Sequence, residues 1–439
     1  MDVDEEEPRP RLHVTPPSGW LNDPVGGLVH GDRQHLFFQY VPASTVWQLN
    51  CHWGHLVGDD LVRWRHLPVA LAPGDGDDGV WSGSAVVDSA GPVLLYTSVV
   101  DGSHDLGRVA LARPLDDDLV AWRKHAGNPV LEPPPDLELI HYRDPFVWGR
   151  PGSWSMLVGA GLGGGRGAAL RYTSPDLEAW WFQGVFAAGS GSGLGETWEC
   201  PQYVDLGGCR ALVVSVWEGG ALTRVAAACG TDRDGTFTPG EWETLGYGGA
   251  AYALTTYRDR AGRLAATAWL RHDPEEPRAG WAGMLSLPLH LSTRAGGGIH
   301  VAPHPDVDTL REEPLAGTAE AVDLAGDETT DGVADLEVVL GAGAQLRLAT
   351  SDRPVLLTAA DTGLILESTA GTASVPVPTG STLGLRIVVD RGSVEAWTRD
   401  GRWIALRIPY LHVRRASLSG PGELAAWRLE PVQARTRQH

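Results

Sequence analysis

The sequence predicts an all-β protein: a five-bladed β-propeller over residues 12–300, followed by a β-sandwich over residues 301–439. Three observations carry this expectation. Short alternating segments bounded by Gly, Pro and Asp recur along the chain, among them "HLFFQYV", "SGSAVV", "VLLYTSV", "ALVVSVW" and "RLAATAWL". Period-2 alternation at close spacing marks antiparallel strands. A tryptophan-ended phrase then repeats. "DLVRW" closes at Trp64, "DLVAW" at Trp122 and "DLEAW" at Trp180, about 58 residues apart, and a looser copy, "GEWETL", sets Trp242 about one period later. Such a period holds about four strands, which is one propeller blade, and the stretch up to residue 300 has room for five. After "RAGGGIH" the tryptophan mark stops. The texture turns to "LRLATS", "GLILES", "LRIVVD" and "SVEAWT", separated by frequent turn signals, as in a sandwich.

In chain order, "DVDEEEP" within residues 1–11 reads as an acidic, solvated and disordered leader. The blades follow, with Trp64, Trp122, Trp180 and Trp242 expected as packing residues. A formal charge of −20 argues against nucleic acid and anionic membrane surfaces, because phosphate binding needs a basic face. No apolar stretch is long enough to span a bilayer, and the N-terminus lacks a basic, apolar secretory pattern. A cytoplasmic location is expected, although a mature chain that had lost a leader would read the same. Cys51, Cys200, Cys209 and Cys229 show neither CxxC spacing nor disulfide-scaffold density, so all four are expected as reduced thiols.

The repeat gives a test for candidate acids. Asp23, in "SGWLNDPVGG", alone reads as part of an Asn-Asp-Pro turn. It precedes Trp64 by about 41 residues, as Asp144 in "YRDPFVW" precedes Trp180 by about 36 and Glu199 in "TWECPQ" precedes Trp242 by about 43. Ser82, in "WSGSAV", holds a similar phase, about 40 before Trp122. An early position in a blade is its innermost strand, along the central channel. Three carboxylates from three blades are therefore predicted to converge on one funnel, with Arg143 pairing Asp144 and keeping it ionised. Converging carboxylates are the equipment of glycoside hydrolysis, one attacking or activating water and the other protonating the leaving oxygen. Trp20, Trp47, Trp53, Trp81, Trp198 and Trp269 offer flat faces for a sugar ring, or else blade packing.

The segments "WLNDPVG", "FFQY", "HWGH", "DLVRWRHLPVAL", "WSGSAV", "YRDPFVW" and "TWECPQ" resemble, in order, the signature segments of glycoside hydrolase family 32, the β-fructofuranosidases. "AAYALTTY", "GWAGMLSLPLHLS" and "LRIVVDRGSVEAW" extend the resemblance to about residue 430. It implies the same propeller and sandwich. It also implies Asp23 as nucleophile, Glu199 as general acid and then base, and Asp144 as transition-state stabiliser. Asn22, Gln39, Trp47, Trp53, Trp81, Ser82, Arg143, Tyr252 and Trp269 would bind substrate. The implied reaction is retaining hydrolysis of terminal β-linked fructosyl units of sucrose or short fructans, with a small carbohydrate as the only partner and no metal or organic cofactor. The alternatives are a fructosyltransferase that passes the fructosyl unit to a sugar acceptor, and a non-catalytic fructan-binding propeller. A five-bladed hydrolase of arabinosides or xylosides fits "WSGSAV" and "TWECPQ" less well.

Three departures from the family pattern stand out. Val25 replaces a second asparagine, "LGYGGAAYAL" has lost two acids while keeping Gly248, Tyr252 and Ala253, and Cys51 replaces a bulkier apolar residue. Four weaker signals have plainer readings. His52 and His55 in "HWGH" lack a third ligand at a zinc spacing. "GAGLGGGRGA", residues 159–168, opens no helix and reads as a flexible loop at the funnel rim. Asp77 and Asp78 read as a solvated turn. Cys200 reads as a structural or pKa-tuning thiol, since an adjacent carboxylate raises its pKa.

Overall fold

The computed structural model describes residues 7–189, 193–272, 278–326, 332–377 and 382–432. Five antiparallel sheets, each built around four strands meandering outward, form the propeller. Blade 1 comprises Gly19–His30, Arg33–Val41, His52–Gly58 and Trp64–Leu71; blade 2 runs from Gly79–Asp88 to Trp122–Lys124. Blades 3 and 4 begin with Leu139–Arg150 and Thr197–Asp205, and blade 5 with Ala251–Arg258. Late in the propeller, Trp281–Ala282 returns to pair in parallel with Gly19 and Trp20, which joins the last blade region to the first. The outermost strand of blade 5 is Ile299–Pro303, so the propeller ends a few residues beyond the expected boundary at 300.

The repeated tryptophans have one local cause. The indole N–H of Trp64, Trp122 and Trp180 donates to the carbonyl of the leucine three residues earlier, Leu61, Leu119 and Leu177, at 2.9, 2.8 and 2.9 Å. Each bond locks the turn that starts a blade's outer strand. Trp242 differs: it lies inside Thr236–Leu245 and packs against Trp198, ring centroids 5.3 Å apart. The glycine-rich stretch 159–168 is not a loop except at its centre. Most of it belongs to the strands Ser153–Leu162 and Arg166–Ser174. A Cβ on Gly159 would fall 2.4 Å from the Trp198 carbonyl oxygen, and one on Gly167 2.3 Å from the Trp198 ring. These glycines admit the inner strand of blade 4.

Two six-stranded sheets form the sandwich, and their facing sides bury Leu336, Leu346, Leu357, Ile387, Val394 and Ile404. A separate apolar cluster joins the two modules: Leu254, Ala268, Trp281 and Leu289 of the propeller pack with Val388, Trp397, Trp403 and Leu429 of the sandwich. At this seam His13 is fully buried between Asp390 and Glu395, at 2.8 Å from each. The acidic leader expected over residues 1–11 is corrected here. Residues 1–6 lie outside the described residues, but Glu7 is buried and pairs with Arg407 at 2.5 Å, and the N–H of Arg11 donates to Asp390 at 2.8 Å. A buried guanidinium needs a counter-charge, and Glu7 supplies it.

The expectation of four reduced thiols fails for two of them. Cys209 and Cys229 form a disulfide, Cα atoms 5.8 Å apart. Cys209 lies in the turn just before the strand Arg210–Glu218 of blade 4 and Cys229 on the neighbouring strand Ala221–Arg233, where Ala211 is registered opposite Cys229; sequence spacing conceals this proximity. Cys51 and Cys200 are free and buried. Asp77 is not a solvated turn residue either. It is 7% exposed and pairs with Lys124 at 2.7 Å, while Asp78 accepts a surface backbone N–H. No helix among the described residues is long and apolar enough to cross a membrane.

Candidate active site

Each innermost strand breaks its register at one equivalent place. The ladder skips between Leu21 and Pro24 in blade 1, between Trp81 and Gly83 in blade 2, between Glu199 and Gln202 in blade 4, and between Tyr252 and Thr255 in blade 5. In blade 3 it skips between Arg143 and Phe146. A bulge turns side chains that would face a neighbouring strand towards the end of the sheet. Here five bulges aim Asp23, Ser82, Asp144, Glu199 and Tyr252 at one axis. The strain is visible at Asp144 (φ 65°), Cys200 (φ 47°) and Ala253 (φ 48°), a region costly for non-glycine residues. Bonds across blades hold these residues there. The Asp144 N–H donates to Thr97 Oγ1 at 2.7 Å, the Cys200 N–H to Asp144 Oδ2 at 2.9 Å, and the Ala253 N–H to Ser215 Oγ at 3.0 Å.

The bulges also correct the phase argument. In the ladders Leu21, Arg143, Glu199 and Tyr252 are equivalent, each the last paired residue before the skip; Asp144 stands one place after that position and Asp23 two, while Glu199 occupies the position itself. It therefore approaches the funnel from a different direction than the two aspartates.

Asp23 sits in a cage of donors. Ser82 Oγ donates to its Oδ2 at 2.6 Å and Gln39 Nε2 at 3.1 Å, while Asn22 Nδ2 donates to Oδ1 at 3.0 Å. Gln39 also donates to Ser82 through a very short bond, and the Trp20 indole holds Asn22 at 3.0 Å. The Cys200 thiol lies 3.6 Å from both Asp23 Oδ2 and Asp144 Oδ2. Burial raises the Asp23 pKa, and the bonds from Ser82, Asn22, Cys200 and Gln39 oppose it. Glu199 is also raised by burial, with Arg143 and the Tyr252 hydroxyl pulling the other way and Asp23 adding to the rise. Tyr252 donates to Glu199 Oε2 at 2.7 Å.

Arg143 does not pair Asp144 as expected. Its Nη1 lies 3.5 Å from Glu199 Oε1, and its guanidinium stacks over Trp81 and Trp217, at 5.3 and 5.9 Å from the ring centroids. Neighbouring residues on a strand point to opposite sides, so Arg143 and Asp144 diverge. Burial, and then the charge of Glu199, push Asp144 well above the carboxylate range, with Arg143 opposing. Buried carboxylates this close together raise one another's pKa. Cys200 is likewise pushed far up, by burial and then by Asp144, Asp23 and Glu199, which fits a tuning thiol rather than a nucleophile.

The funnel is a cavity of about 760 Å³ lined by Asn22, Asp23, Gln39, Trp47, Trp81, Arg143, Asp144, Glu199, Tyr252 and Trp269. The Trp269 indole N–H, buried, has no partner among the described residues. Two expected substrate residues stand apart. Ser82 is 1% exposed and acts behind Asp23. Trp53 does not line the funnel; it is wholly buried and donates to the Trp81 carbonyl at 3.0 Å, so it backs Trp81. Trp198 is also buried, bonded to Leu194. Val25 points away from the funnel into an apolar cluster with Phe37, Trp53 and Tyr96. The missing asparagine therefore alters packing rather than the pocket.

Trp20, which the sequence offers as a sugar face, does line the funnel. The sequence does not single out Trp217, Leu222, Arg271, His104 and His272, which also line it. They come from second strands and hairpin turns, outside the five bulges. His55 is bonded to His35 at 2.9 Å, and no group of three or more metal-ligating side chains occurs among the described residues.

A propeller whose funnel gathers three buried carboxylates, a cation and an aromatic wall belongs to the class of enzymes that work on carbohydrates. Comparison with known proteins narrows that class. Residues 13–304 match the glycosyl hydrolases family 32 N-terminal domain. A sucrose-6-phosphate hydrolase of Escherichia coli is 32% identical over 427 residues, covering 89% of this chain and 87% of that one. A levanase of Bacillus subtilis is 29% identical, covering 91% and 66%. A β-fructofuranosidase variant of Bombyx mori, solved in complex with sucrose, superposes with a TM-score of 0.85 at 28% identity, covering 97% and 94%. The chain belongs to glycosyl hydrolase family 32 and is a glycoside hydrolase.

Proposed function

We propose that the enzyme is a retaining β-fructofuranosidase releasing terminal β-linked fructosyl units from sucrose or short fructans. The observation that carries this reading is the unequal treatment of the two carboxylates facing each other across the funnel. Asp23 receives hydrogen bonds from three polar side chains, which favour its anion and leave Oδ1 with a single donor. Glu199, also buried, accepts a single hydrogen bond, from the Tyr252 hydroxyl, with the Arg143 cation 3.5 Å from its other oxygen. Environments that push two carboxyls apart in this way divide nucleophile from acid.

In the first step Glu199 gives its proton to the glycosidic oxygen while Asp23 Oδ1 attacks the anomeric carbon. The carbon–oxygen bond to the leaving sugar breaks and a fructosyl ester forms. Glu199, now ionised, takes a proton from water, and the oxygen of that water displaces Asp23. Asp144, fixed by the Cys200 N–H, grips fructose hydroxyls. Trp47, Trp81 and Trp269 wall the ring. The relatives named as a sucrose-6-phosphate hydrolase, a levanase and a sucrose-bound β-fructofuranosidase support the substrate class.

Mass spectrometry of enzyme quenched during turnover of sucrose should find a fructosyl adduct on Asp23 and none in Asp23→Asn. An adduct on another residue refutes the assignment. Product analysis of the same reaction separates hydrolysis, which yields free fructose, from transfer, which yields oligofructosides.

A further inference from the structure

We propose that Arg271 is a positioning residue for the proton donor, acting on Glu199 through the ring of Tyr252. This rests on Glu199 being the acid. Arg271 follows the second strand of blade 5, Leu264–Leu270, and its N–H donates to the Ala250 carbonyl at 2.9 Å. That places its side chain on the funnel wall. The guanidinium carbon lies 5.4 Å from the Tyr252 ring centroid, within cation–π range. The hydroxyl at the far end of that ring is the one that donates to Glu199.

The cation is held in place without being neutralised. Nη1 donates to the Leu222 carbonyl at 2.5 Å, and Nη2 to the Thr223 carbonyl at 3.4 Å and to the Gly249 carbonyl through a very short bond. No carboxylate lies within 4.0 Å of it among the described residues, unlike Arg143, which has Glu199, and Arg407, which has Glu7. The two positions where family 32 is expected to carry acids, in "LGYGGAAYAL", hold Gly246 and Ala250, and the Ala250 carbonyl accepts the Arg271 N–H. The position of Gly246 has no room for one: its Cβ would lie 2.4 Å from Ala251 Cβ. The charge is therefore undiminished where it faces Tyr252.

An unneutralised cation over a phenol ring makes the hydroxyl a stronger donor. A stronger donor favours the carboxylate it serves. Arg271 thus pulls Glu199 back from the rise that burial imposes, so that it can both give and retake a proton within one cycle. Other charges reach Glu199 from other blades: Arg143 and Asp144 from blade 3, Asp23 from blade 1, and the neighbouring Cys200 thiol. On the far side of Arg271, His272 is engaged with Glu7 and Arg407. Among the described cations in contact with this site, Arg271 alone acts through the hydroxyl.

The test is the basic limb of kcat/KM against pH on sucrose, which reports the acid of the free enzyme. In Arg271→Met the limb should move up by about half a pH unit, with kcat falling more than KM changes. Arg271→Lys, which keeps a charge over the ring, should restore most of the shift. In a Tyr252→Phe background, Arg271→Met should move the limb no further. A limb unmoved in Arg271→Met while thermal stability falls makes the residue a mere clamp and overturns the inference. So does a full shift persisting without the Tyr252 hydroxyl. If Arg271→Met does not fold, Arg271→Gln, which also removes the charge, separates the same two outcomes in both backgrounds. Residual turnover by Glu199→Gln should lack this limb altogether; a limb surviving there refutes Glu199 as the acid, a separate failure.

Discussion

Removing the Ser82 hydroxyl should move the acidic limb of the pH profile, and its size follows from the cage around Asp23. Ser82 Oγ donates to Asp23 Oδ2 at 2.6 Å, in a site where Ser82 is 1% exposed. A hydrogen bond to a buried charge is worth about 1.5–3 kcal/mol. At roughly 1.4 kcal/mol per pKa unit, its full loss would raise Asp23 by about 1–2 units. Asn22, Gln39 and the Cys200 thiol remain as donors, and they reduce the net rise to about one unit. The bond favours the anion, so its loss favours the protonated, inactive nucleophile. In Ser82→Ala the acidic limb of kcat/KM on sucrose should therefore shift up by about one pH unit. The plateau above it should hold within a few fold. A pH-rate series with both enzymes, with Tm measured alongside, reads this directly. A limb that stays in place, or a loss equal at every pH, would show that Ser82 does not set the proton affinity of Asp23, and the cage argument would fall.

Two further outcomes follow from the seam and from blade 4. His13 between Asp390 and Glu395 is raised from 6.5 to about 9, its proton held against burial by the two carboxylates. The fold then keeps a proton that the unfolded chain loses near 6.5. This contribution, on the order of 3 kcal/mol, is complete below that pH, shrinks between 6.5 and 9, and is absent above. The Tm should decline over that window, and His13→Gln should flatten the decline; a parallel decline in both proteins places its cause elsewhere. Thiol titration of the unfolded, unreduced chain should count two free thiols, Cys51 and Cys200, and a count of four would restore the reduced reading. Opening the Cys209–Cys229 loop, a separation of 20 residues, should lower unfolding stability by about 3 kcal/mol with little effect on kcat.

Much of the propeller was legible because one physical event repeats. An indole that must bond its N–H finds the same leucine carbonyl three residues back at Trp64, Trp122 and Trp180, so the blade period is written in the sequence. Trp242 carries no such bond and blurs the mark. Asp23 and Asp144 were legible through proline-bearing bulges that recur at one phase. Glu199 shared the phase only approximately, since its chemistry comes from the residue before the bulge position. Trp53 and Val25 misled for one reason. Both pack between blades 1 and 2 instead of facing the funnel, Trp53 from the third strand and Val25 from two residues beyond Asp23, and local sequence does not show which neighbour a buried side chain meets. Arg271 and Trp217 reach the funnel from second strands, and the disulfide closes between two consecutive strands of blade 4 whose register decides which residues meet, and no local pattern encodes either.

The sandwich, which contributes no carboxylate to the funnel, nonetheless helps to hold it. Arg407, on its edge strand Trp403–Arg407, meets His272 at 2.8 Å and Glu7 at 2.5 Å. His272 lines the funnel, and its Nδ1 accepts the Gly283 N–H at 2.8 Å. Burial and the nearby Arg407 depress the imidazole to about 4, so it stays neutral and keeps Nδ1 as an acceptor. Gly283, at φ +81°, passes so close to the strand that carries Asp23 that a Cβ there would lie 1.8 Å from the Leu21 carbonyl oxygen. A chain of contacts thus runs from a sandwich arginine to the backbone immediately before Asn22 and Asp23. The bulge that aims Asp23 is confined from blade 2 through Ser82 and from the sandwich side through Gly283. A residue in a costly register stays there only when its surroundings over-determine it, and in this enzyme the second module is part of those surroundings.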